Sequence, residues 1–153
     1  MITQQQLDGY LGKSIAQICQ NGYTNPHDNH CAHFVSHVLG CHFGVTCQMM
    51  GKANAPAATL RVQELFQRCH SVGAWSLRPS SLKACLVFIT RASNVNLANR
   101  SMVNVPRKHV GIYVDGSIWH YSNAQQKVVR QLPAQFAQHY PAPDNRMFFG
   151  TLP

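Results

Sequence analysis

The chain has 153 residues, 45% of them hydrophobic, which is enough to bury the core of one ordinary domain. Its 13 Lys and Arg residues outnumber its five Asp and Glu residues, and the formal net charge of +8 favours an anionic partner. The basic residues are scattered without a nucleic-acid-binding motif, and five carboxylates are too few to favour a paired-carboxylate glycosidase or a two-metal carboxylate site.

The N-terminal segment contains neither the basic region nor the apolar run of a signal peptide. No window approaches the about 20 apolar residues of a membrane span, so the sequence predicts synthesis in the cytoplasm and no transmembrane segment. Apolar residues at helical spacing predict a first helix over about residues 4–20, and these are Leu7, Leu11, Ile15 and Ile18.

Cys31 lies just inside the start of the second predicted helix. Asp28 or Asn29 is the predicted N-cap, and Gly40 marks the end of the helix. At a helix N-terminus the exposed N–H groups and the helix dipole favour the thiolate form of a cysteine. The position therefore predicts a nucleophilic thiol, and the backbone N–H of Cys31 is the predicted donor to an oxyanion.

The rest of the chain moves from helix to strand. Residues 41–56 are predicted to be a loop, and the apolar residues from Leu60 to Cys69 predict a third helix. Every predicted helix precedes the sheet, and this order predicts an α+β fold with an antiparallel sheet. The strands are predicted at 86–90, in a 108–122 hairpin, at 127–130 and at 147–149. Residues 91–107 are too long for a plain connection and are predicted to border the active site.

The hairpin is the second informative feature. The Asp-Gly turn at 115–116 predicts a type I′ turn with four cross-strand pairs, Val114–Ser117, Tyr113–Ile118, Ile112–Trp119 and Gly111–His120. His109 shares a strand face with Gly111, so His109 and His120 are predicted diagonal neighbours on one face, with Gly111 leaving space between them. A nucleophile, a base and an orienting residue are then available as Cys31, His109 and His120.

From about Tyr23 to Phe149 these residues resemble the NlpC-type cell-wall peptidases of the papain-like and CHAP-amidase superfamily, which hydrolyse amide bonds in peptidoglycan stem peptides. The segment CAHFV from Cys31 is similar to the Cys-Ser-Gly-aromatic-Val helix start of that family. The segment LKACLVF from Leu82 is similar to its Pro-Gly-Asp-Leu-Val-Phe strand, and the strongest match runs from His109 to His120.

This resemblance implies a papain-like fold and a thioester mechanism, with Cys31 as nucleophile, His109 as general base and His120 as orienting residue. It also implies that Tyr23 lies near the oxyanion and that the substrate is peptidoglycan or another amide. No cofactor is expected. The chain is predicted to be a single catalytic domain, 1–153, comprising an N-terminal helix (1–22), the cysteine helix with the helix after it (23–70) and the sheet (84–150).

The loop leading to Cys31 also resembles amidase effectors of type VI secretion. This second resemblance implies export without a leader, by type VI secretion or phage-type release, to the periplasm or cell wall. It makes an immunity or adaptor protein a partner to test for.

Three alternatives to a cysteine hydrolase remain open. The spacing of His30, His33, His37 and Cys41 brings at least His33 and His37 onto one helical face, as in a zinc site. The basic surface fits a non-catalytic module that binds an anionic polymer. The same thiol chemistry also supports acyl transfer to an amine or a lipid hydroxyl. The six cysteines contain no CxxC pair and are predicted to be reduced, and a Cys41–Cys47 disulfide is expected only in an oxidising compartment.

Overall fold

A six-stranded antiparallel sheet organises this computed structural model, which describes residues 1–51 and 53–152. Its strands are β1 Val72–Ala74, β2 Ala84–Arg91, β5 His109–Val114, β6 Ser117–Ser122, β7 Lys127–Gln131 and β8 Asn145–Gly150. They follow the order β1-β8-β2-β5-β6-β7 across the sheet. A separate short hairpin is formed by β3 Val95–Asn96 and β4 Ser101–Met102. The α-helices are α1 Gln4–Asp8, α2 Ile15–Ile18, α3 Cys31–Leu39, α4 Cys47–Met50, α5 Val62–Arg68 and α6 Pro133–Phe136. The fold is therefore α+β.

The single helix predicted over residues 4–20 is wrong. Two short helices, α1 and α2, flank a turn in which Gly12 has a φ of +79°, a backbone conformation that glycine adopts without strain. Beyond the turn, the side chain of Gln17 accepts a hydrogen bond from the Ser14 N–H at 2.9 Å, and this contact starts α2. The apolar spacing correctly identifies Leu7 and Ile15 as buried, but local turn and capping chemistry divides the helix.

The order of helices and strands also differs from the prediction. Helix α6 lies between β7 and β8, so not every helix precedes the sheet, and α4 interrupts the predicted 41–56 loop. Pro133 at the first position of α6 has the fixed φ that a helix start needs. The third helix is shorter than predicted, and the long 91–107 connection contains the β3–β4 hairpin.

The predicted hairpin is confirmed for three of its four pairs, which are Val114–Ser117, Tyr113–Ile118 and Ile112–Trp119. Asp115 and Gly116 both have positive φ, at 45° and 95°, as a type I′ turn requires. The ladder stops before Gly111, and the predicted open space there does not exist. A Cβ atom at Gly111 would lie 2.7 Å from Ile118 Cγ2 and 3.0 Å from Trp119 O, so glycine permits the close approach of β6.

The two faces of the sheet carry separate apolar clusters. The first face packs under α3 and α5, and its strand residues include Phe88, Val110, Ile112, Trp119 and Tyr121. The opposite face carries a smaller cluster around Ile118, Phe136 and Phe149. Since side chains alternate along a strand, His109 and His120 belong to this opposite face, as neighbours of Phe136. Within the described residues, no helix has the length and apolar character needed to cross a membrane.

Candidate active site

Asn29 anchors the start of α3 to the sheet. Its Oδ1 accepts the Cys31 N–H at 2.9 Å and also accepts a bond from the Asn123 amide at 2.9 Å. Its own amide donates to the carbonyl of Lys108 at 3.3 Å. The predicted N-cap at Asp28 or Asn29 is wrong, because His30 is at the cap position, but the Asn29 side chain still accepts the first N–H of the helix. Because the Cys31 N–H is bound to Asn29, it is not the free oxyanion donor that the sequence predicted.

Cys31 is a buried, neutral thiol in this structure. It is only 1% exposed, and its Sγ lies 4.0 Å from the carbonyl oxygen of Lys108, which also accepts the Tyr140 hydroxyl at 3.4 Å. Burial raises the pKa of Cys31 to about 11, while the N–H groups of Val110 and Ala32 and the charge of Lys108 act in the opposite direction. The cost of desolvating a thiolate outweighs its stabilisation by the N–H groups at the helix start, so Cys31 does not rest as the expected thiolate.

His109 and His120 are hydrogen-bonded to each other, as their shared face requires. His109 Nε2 lies 2.8 Å from His120 Nδ1, and His120 Nε2 lies 2.6 Å from Gln131 Oε1. Burial, followed by the charges of its histidine neighbours, holds the pKa of His109 well below its usual range. Burial likewise lowers the pKa of His120 to about 4. Both imidazoles are therefore neutral at neutral pH.

The Gln131 carbonyl orders the protons along this chain. A carbonyl oxygen only accepts, so His120 carries its proton on Nε2 and presents an unprotonated Nδ1 to His109. His109 must then donate through Nε2, which leaves a lone pair on its Nδ1. That Nδ1 is buried and has no hydrogen-bond partner within residues 1–51 and 53–152. Gln131 was not identified from the sequence, since it belongs to another strand and carries no motif.

The structure brings Cys31 beside the entry to β5 without joining its thiol to His109. The sulfur contacts Lys108, the residue before His109, and it reaches β5 from the helix-covered face of the sheet. The imidazole of His109 lies on the other face. The Cys31 thiol is hydrogen-bonded to a backbone carbonyl, so a hydrogen bond between the thiol and the His109 imidazole requires a local rearrangement.

His139 and Tyr140 extend the histidine group and were missed by the sequence analysis. The His139 ring stacks on His109, with centroids 3.7 Å apart and planes 13° apart, and Tyr140 packs edge-on against His139. Both residues follow α6 in an irregular segment, where neither periodicity nor a motif marks them. Ring nitrogens of His109, His120 and His139 lie within 4.8 Å of one another. However, the hydrogen bond between His109 and His120 is 2.8 Å long, whereas two nitrogens bound to one tetrahedral zinc are about 3.3 Å apart. These two nitrogens are therefore spaced for a hydrogen bond and not for a shared zinc ion.

Tyr23 does not have the hydroxyl free for the predicted oxyanion role. Its O–H donates to Asp28 Oδ2 at 2.7 Å. Its ring packs 5.5 Å from the ring of His30 and 5.7 Å from that of His33. Burial and the Asp28 bond raise the pKa of Tyr23 to about 12. Tyr23 therefore packs on His30 and His33 with its hydroxyl bound to Asp28.

A pocket of about 340 Å³ lies beside Cys31. Its lining includes the basic residues Arg61, Arg107 and Lys108, and it contains no carboxylate among the described residues. A larger cavity of about 470 Å³ around Trp75 and Met147 has no thiol, imidazole or carboxylate in its described lining. Cys31 is therefore next to the smaller, cationic pocket, which fits a ligand that carries negative charge.

Compared with models of known protein families, with curated proteins and with solved structures, the chain matches none. The chemistry of the site is therefore inferred from the arrangement of its own side chains.

A second group of histidines and cysteines lies where α3 meets α2 and α4, and all of its members are buried except the half-buried His37. Four ligand atoms within 4.8 Å of one another belong to Cys19, His33, His37 and Cys47. The predicted pairing of His33 and His37 on one helical face is confirmed, with 3.2 Å between their Nε2 atoms. The predicted ligand set is otherwise corrected, because Cys41 and His30 are both outside this group, although His30 is hydrogen-bonded to His33. Cys41 and Cys47 are both free thiols, so they form no disulfide with each other.

Proposed function

We propose that the protein is a cysteine hydrolase of amide bonds, with a papain-like, NlpC-type architecture. Cys31 is the nucleophile, His109 the general base and His120 the residue that orients the base. The observation that carries this proposal is the ordered chain from Gln131 through His120, which leaves a lone pair on the buried Nδ1 of His109. A neutral imidazole with a fixed tautomer is what general-base catalysis by histidine requires.

The first chemical step forms the thioester. This step needs the local rearrangement that brings the Cys31 sulfur to His109 Nδ1, because the two side chains lie on opposite faces of the sheet. Cys31 rests as a neutral thiol, so its proton then passes to His109 Nδ1 as the sulfur attacks the carbonyl carbon of the substrate. The carbonyl π electrons move to oxygen, and the resulting oxyanion needs a donor. The amide of Asn29 lines the same pocket and uses one of its two hydrogens on the Lys108 carbonyl, so the other is available to the oxyanion.

The second half of the cycle returns the enzyme to its resting state. The imidazolium of His109 gives its proton to the leaving nitrogen, the C–N bond breaks, and the acyl group stays on Cys31. Water then enters, loses a proton to His109 and attacks the thioester carbon. The C–S bond breaks, the carboxylic acid leaves, and the sulfur recovers the proton from His109. Water is the only reactant besides the amide substrate.

Stem peptides of peptidoglycan are the proposed substrate class. The resemblance of Cys31–Val35 and of the His109–His120 hairpin to cell-wall peptidases supports this choice. The three basic residues around the pocket support it independently, since stem peptides carry free carboxylates. The formal charge of +8 favours the same anionic polymer.

A non-catalytic binding module is the second candidate function. The observation that favours it is the burial of Cys31, of which only 1% is exposed. A substrate carbonyl reaches the sulfur only after side chains around Lys108 move aside. In the binding module this movement does not occur, and the basic surface alone engages the polymer.

The two candidates are separated by incubating purified peptidoglycan with the native protein, with Cys31→Ala and with Cys85→Ala as a matched control. Cys85 is a buried thiol in the cluster on the opposite face. Mass spectrometry of the soluble fraction is expected to detect new fragments from the native protein and from Cys85→Ala, and none from Cys31→Ala. Fragments from Cys31→Ala would contradict the proposal. Binding without fragments for all three proteins would establish the binding module.

A further inference from the structure

We propose that Cys19, His33, His37 and Cys47 form a structural zinc site that joins α3 to α2 and α4. The four residues come from three elements that are separate in sequence. Cys19 directly follows α2, His33 and His37 are one turn apart on α3, and Cys47 is the first residue of α4. Their ligand atoms all lie within 4.8 Å of one another. This site is independent of the proposed hydrolase activity.

The spacing of the ligand atoms matches a tetrahedral ion. Zinc binds nitrogen at about 2.0–2.1 Å and sulfur at about 2.3 Å, so two nitrogens on one ion are about 3.3 Å apart and a nitrogen and a sulfur about 3.6 Å apart. The observed separations are 3.2 Å between the Nε2 atoms of His33 and His37, and 3.8 Å between His37 Nε2 and Cys47 Sγ. Shifts of a few tenths of an ångström place these atoms at coordination distances.

The tautomer of His33 is fixed for metal binding. His30 Nε2 lies 2.7 Å from the carbonyl oxygen of Asn25, so the His30 proton is on Nε2 and its Nδ1 accepts. His33 Nδ1 lies 3.0 Å from that acceptor and donates to it. The lone pair of His33 is therefore on Nε2, which faces the other three ligands. Metal-binding histidines commonly donate their second ring nitrogen to an outer partner in this way.

The sulfur of Cys47 is held in place by two N–H donors. Cys47 Sγ accepts hydrogen bonds from the Asn21 amide and from the Ala58 N–H, each at 3.3 Å. Such donors are the outer partners that a buried metal thiolate needs, and the same sulfur lies 3.8 Å from His37 Nε2.

The charge and the donor types identify the metal. Two thiolates balance the charge of a divalent cation, so a buried site with two neutral imidazoles carries no net charge and avoids the large penalty of an unpaired buried ion. Thiolate and imidazole ligands in a tetrahedral set favour zinc over the oxygen-binding Mg²⁺ and Ca²⁺. Because the protein supplies all four ligands, no position is left for a substrate, and the site is structural.

Metal analysis of the native protein tests this proposal, with Cys47→Ser and Cys41→Ser as a matched pair. Both positions hold buried free thiols, and only Cys47 belongs to the four-residue group. After dialysis, elemental mass spectrometry is expected to find about one zinc per chain in the native protein and in Cys41→Ser, and a loss of more than tenfold in Cys47→Ser. Chelation is expected to lower the Tm of the native protein.

A cobalt titration of the chelated native protein gives a readout that does not depend on any variant folding. We expect tetrahedral d–d absorption bands and a thiolate-to-cobalt charge-transfer band that saturate at one equivalent. The proposal is overturned if the native protein binds neither zinc nor cobalt, if it contains a Cys19–Cys47 disulfide when freshly purified, or if Cys41→Ser loses the metal. Peptidoglycan hydrolysis does not enter any of these results.

Discussion

The molecule contains two chains of hydrogen-bonded histidines, and the two have the same arrangement of donors and acceptors. In the first, the side-chain carbonyl oxygen of Gln131 accepts from His120 at 2.6 Å, and His120 in turn accepts from His109 at 2.8 Å. In the second, the backbone carbonyl oxygen of Asn25 accepts from His30 at 2.7 Å, and His30 in turn accepts from His33 at 3.0 Å. Each chain starts at an oxygen that can only accept, so each ends at an imidazole whose outer nitrogen carries a lone pair.

The chains differ in what faces that last nitrogen. Among residues 1–51 and 53–152, no group is hydrogen-bonded to His109 Nδ1, and the Cys31 sulfur lies beside Lys108, the residue before His109. His33 Nε2 faces His37 at 3.2 Å, with two cysteine sulfurs close by. A single nearby thiol leaves the lone pair free to accept a proton. Three converging ligands make it part of a coordination shell. Under the two proposals, the neighbours therefore make His109 a base and His33 a metal ligand, although both tautomers are fixed in the same way.

The chains also differ in what holds them. The first chain spans β5, β6 and β7, so the register of the sheet sets its geometry. The second chain runs from the loop before α3 into that helix, and Asn25 itself is exposed. We infer that the first chain is rigid without any ligand, whereas the second depends on the cross-link that a metal supplies between α2, α3 and α4.

The largest expected effect comes from removing the end of the first chain. His109→Gln eliminates the base, and general-base catalysis by histidine contributes about 10²–10⁴-fold, so we expect peptidoglycan turnover to fall by about a thousandfold. Zinc content should stay at that of the native protein, because His109 is outside the second chain. The matched control is His42→Gln, at an exposed histidine, which should leave turnover unchanged. Loss of zinc in His109→Gln would contradict the separation of the two chains.

The first chain is also expected to make the fold sensitive to acid. Burial lowers the pKa of His120 to about 4 from the usual 6.5, so the unfolded chain binds this proton first as the pH falls. The contribution to stability is fully present above pH 6.5 and is lost progressively as the pH decreases toward 4. For this one group the loss reaches about 3 kcal/mol.

Urea unfolding at pH 7 and pH 4.5 measures this effect. The decrease in the free energy of unfolding between the two values is expected to be smaller in His120→Gln than in the native protein. His27→Gln, at an exposed position, should show the native decrease. An equal decrease in all three proteins would show that His120 is not buried as a neutral imidazole.

The sequence predicts the first chain better than the second, for physical reasons. A two-residue Asp-Gly turn fixes strand register, so the shared face of His109 and His120 follows from counting residues along the hairpin. Gln131 is not predictable in this way, because its contact depends on the pairing of β6 with β7 through a longer turn. His139 lies beyond α6 and reaches His109 only through tertiary packing.

The second chain shows the limit of helical spacing as a guide. Residues four apart share a helix face, which correctly pairs His33 with His37. The same spacing favours Cys41 as a further ligand, but Gly40 ends α3 with a φ of +70° and the chain turns away. The sulfur ligands come instead from α2 and α4, whose positions depend on loop paths that no local pattern encodes. The undivided helix predicted over 4–20 is wrong for a related reason. The left-handed conformation of Gly12 ends the helical path, although the apolar residues on both sides keep helical spacing.

Removing the carbonyl anchor of the first chain is expected to have an intermediate effect. Gln131→Leu deletes the acceptor, so His120 can carry its proton on either nitrogen and the His109 lone pair is no longer fixed on Nδ1. We expect turnover to fall by about 10–100-fold, less than in His109→Gln, because the base itself remains. Nitrogen chemical shifts of the imidazoles should change from one tautomer to a mixture. Gln138→Leu, at an exposed position, is the control, and unchanged shifts in Gln131→Leu would refute the anchoring role.

The smallest expected effect tests the corresponding link of the second chain. His30→Phe keeps a ring against Tyr23 and Tyr121 but removes the acceptor for His33 Nδ1. The four ligands remain, so zinc should still bind, with an affinity lower by about tenfold, the lower end of the effect of losing such an outer partner. Competition with a chromophoric chelator measures the change, and His27→Phe is the exposed control. Complete loss of zinc would make His30 a ligand, whereas unchanged affinity would mean that the four ligands position themselves and that only the first chain depends on a fixed tautomer.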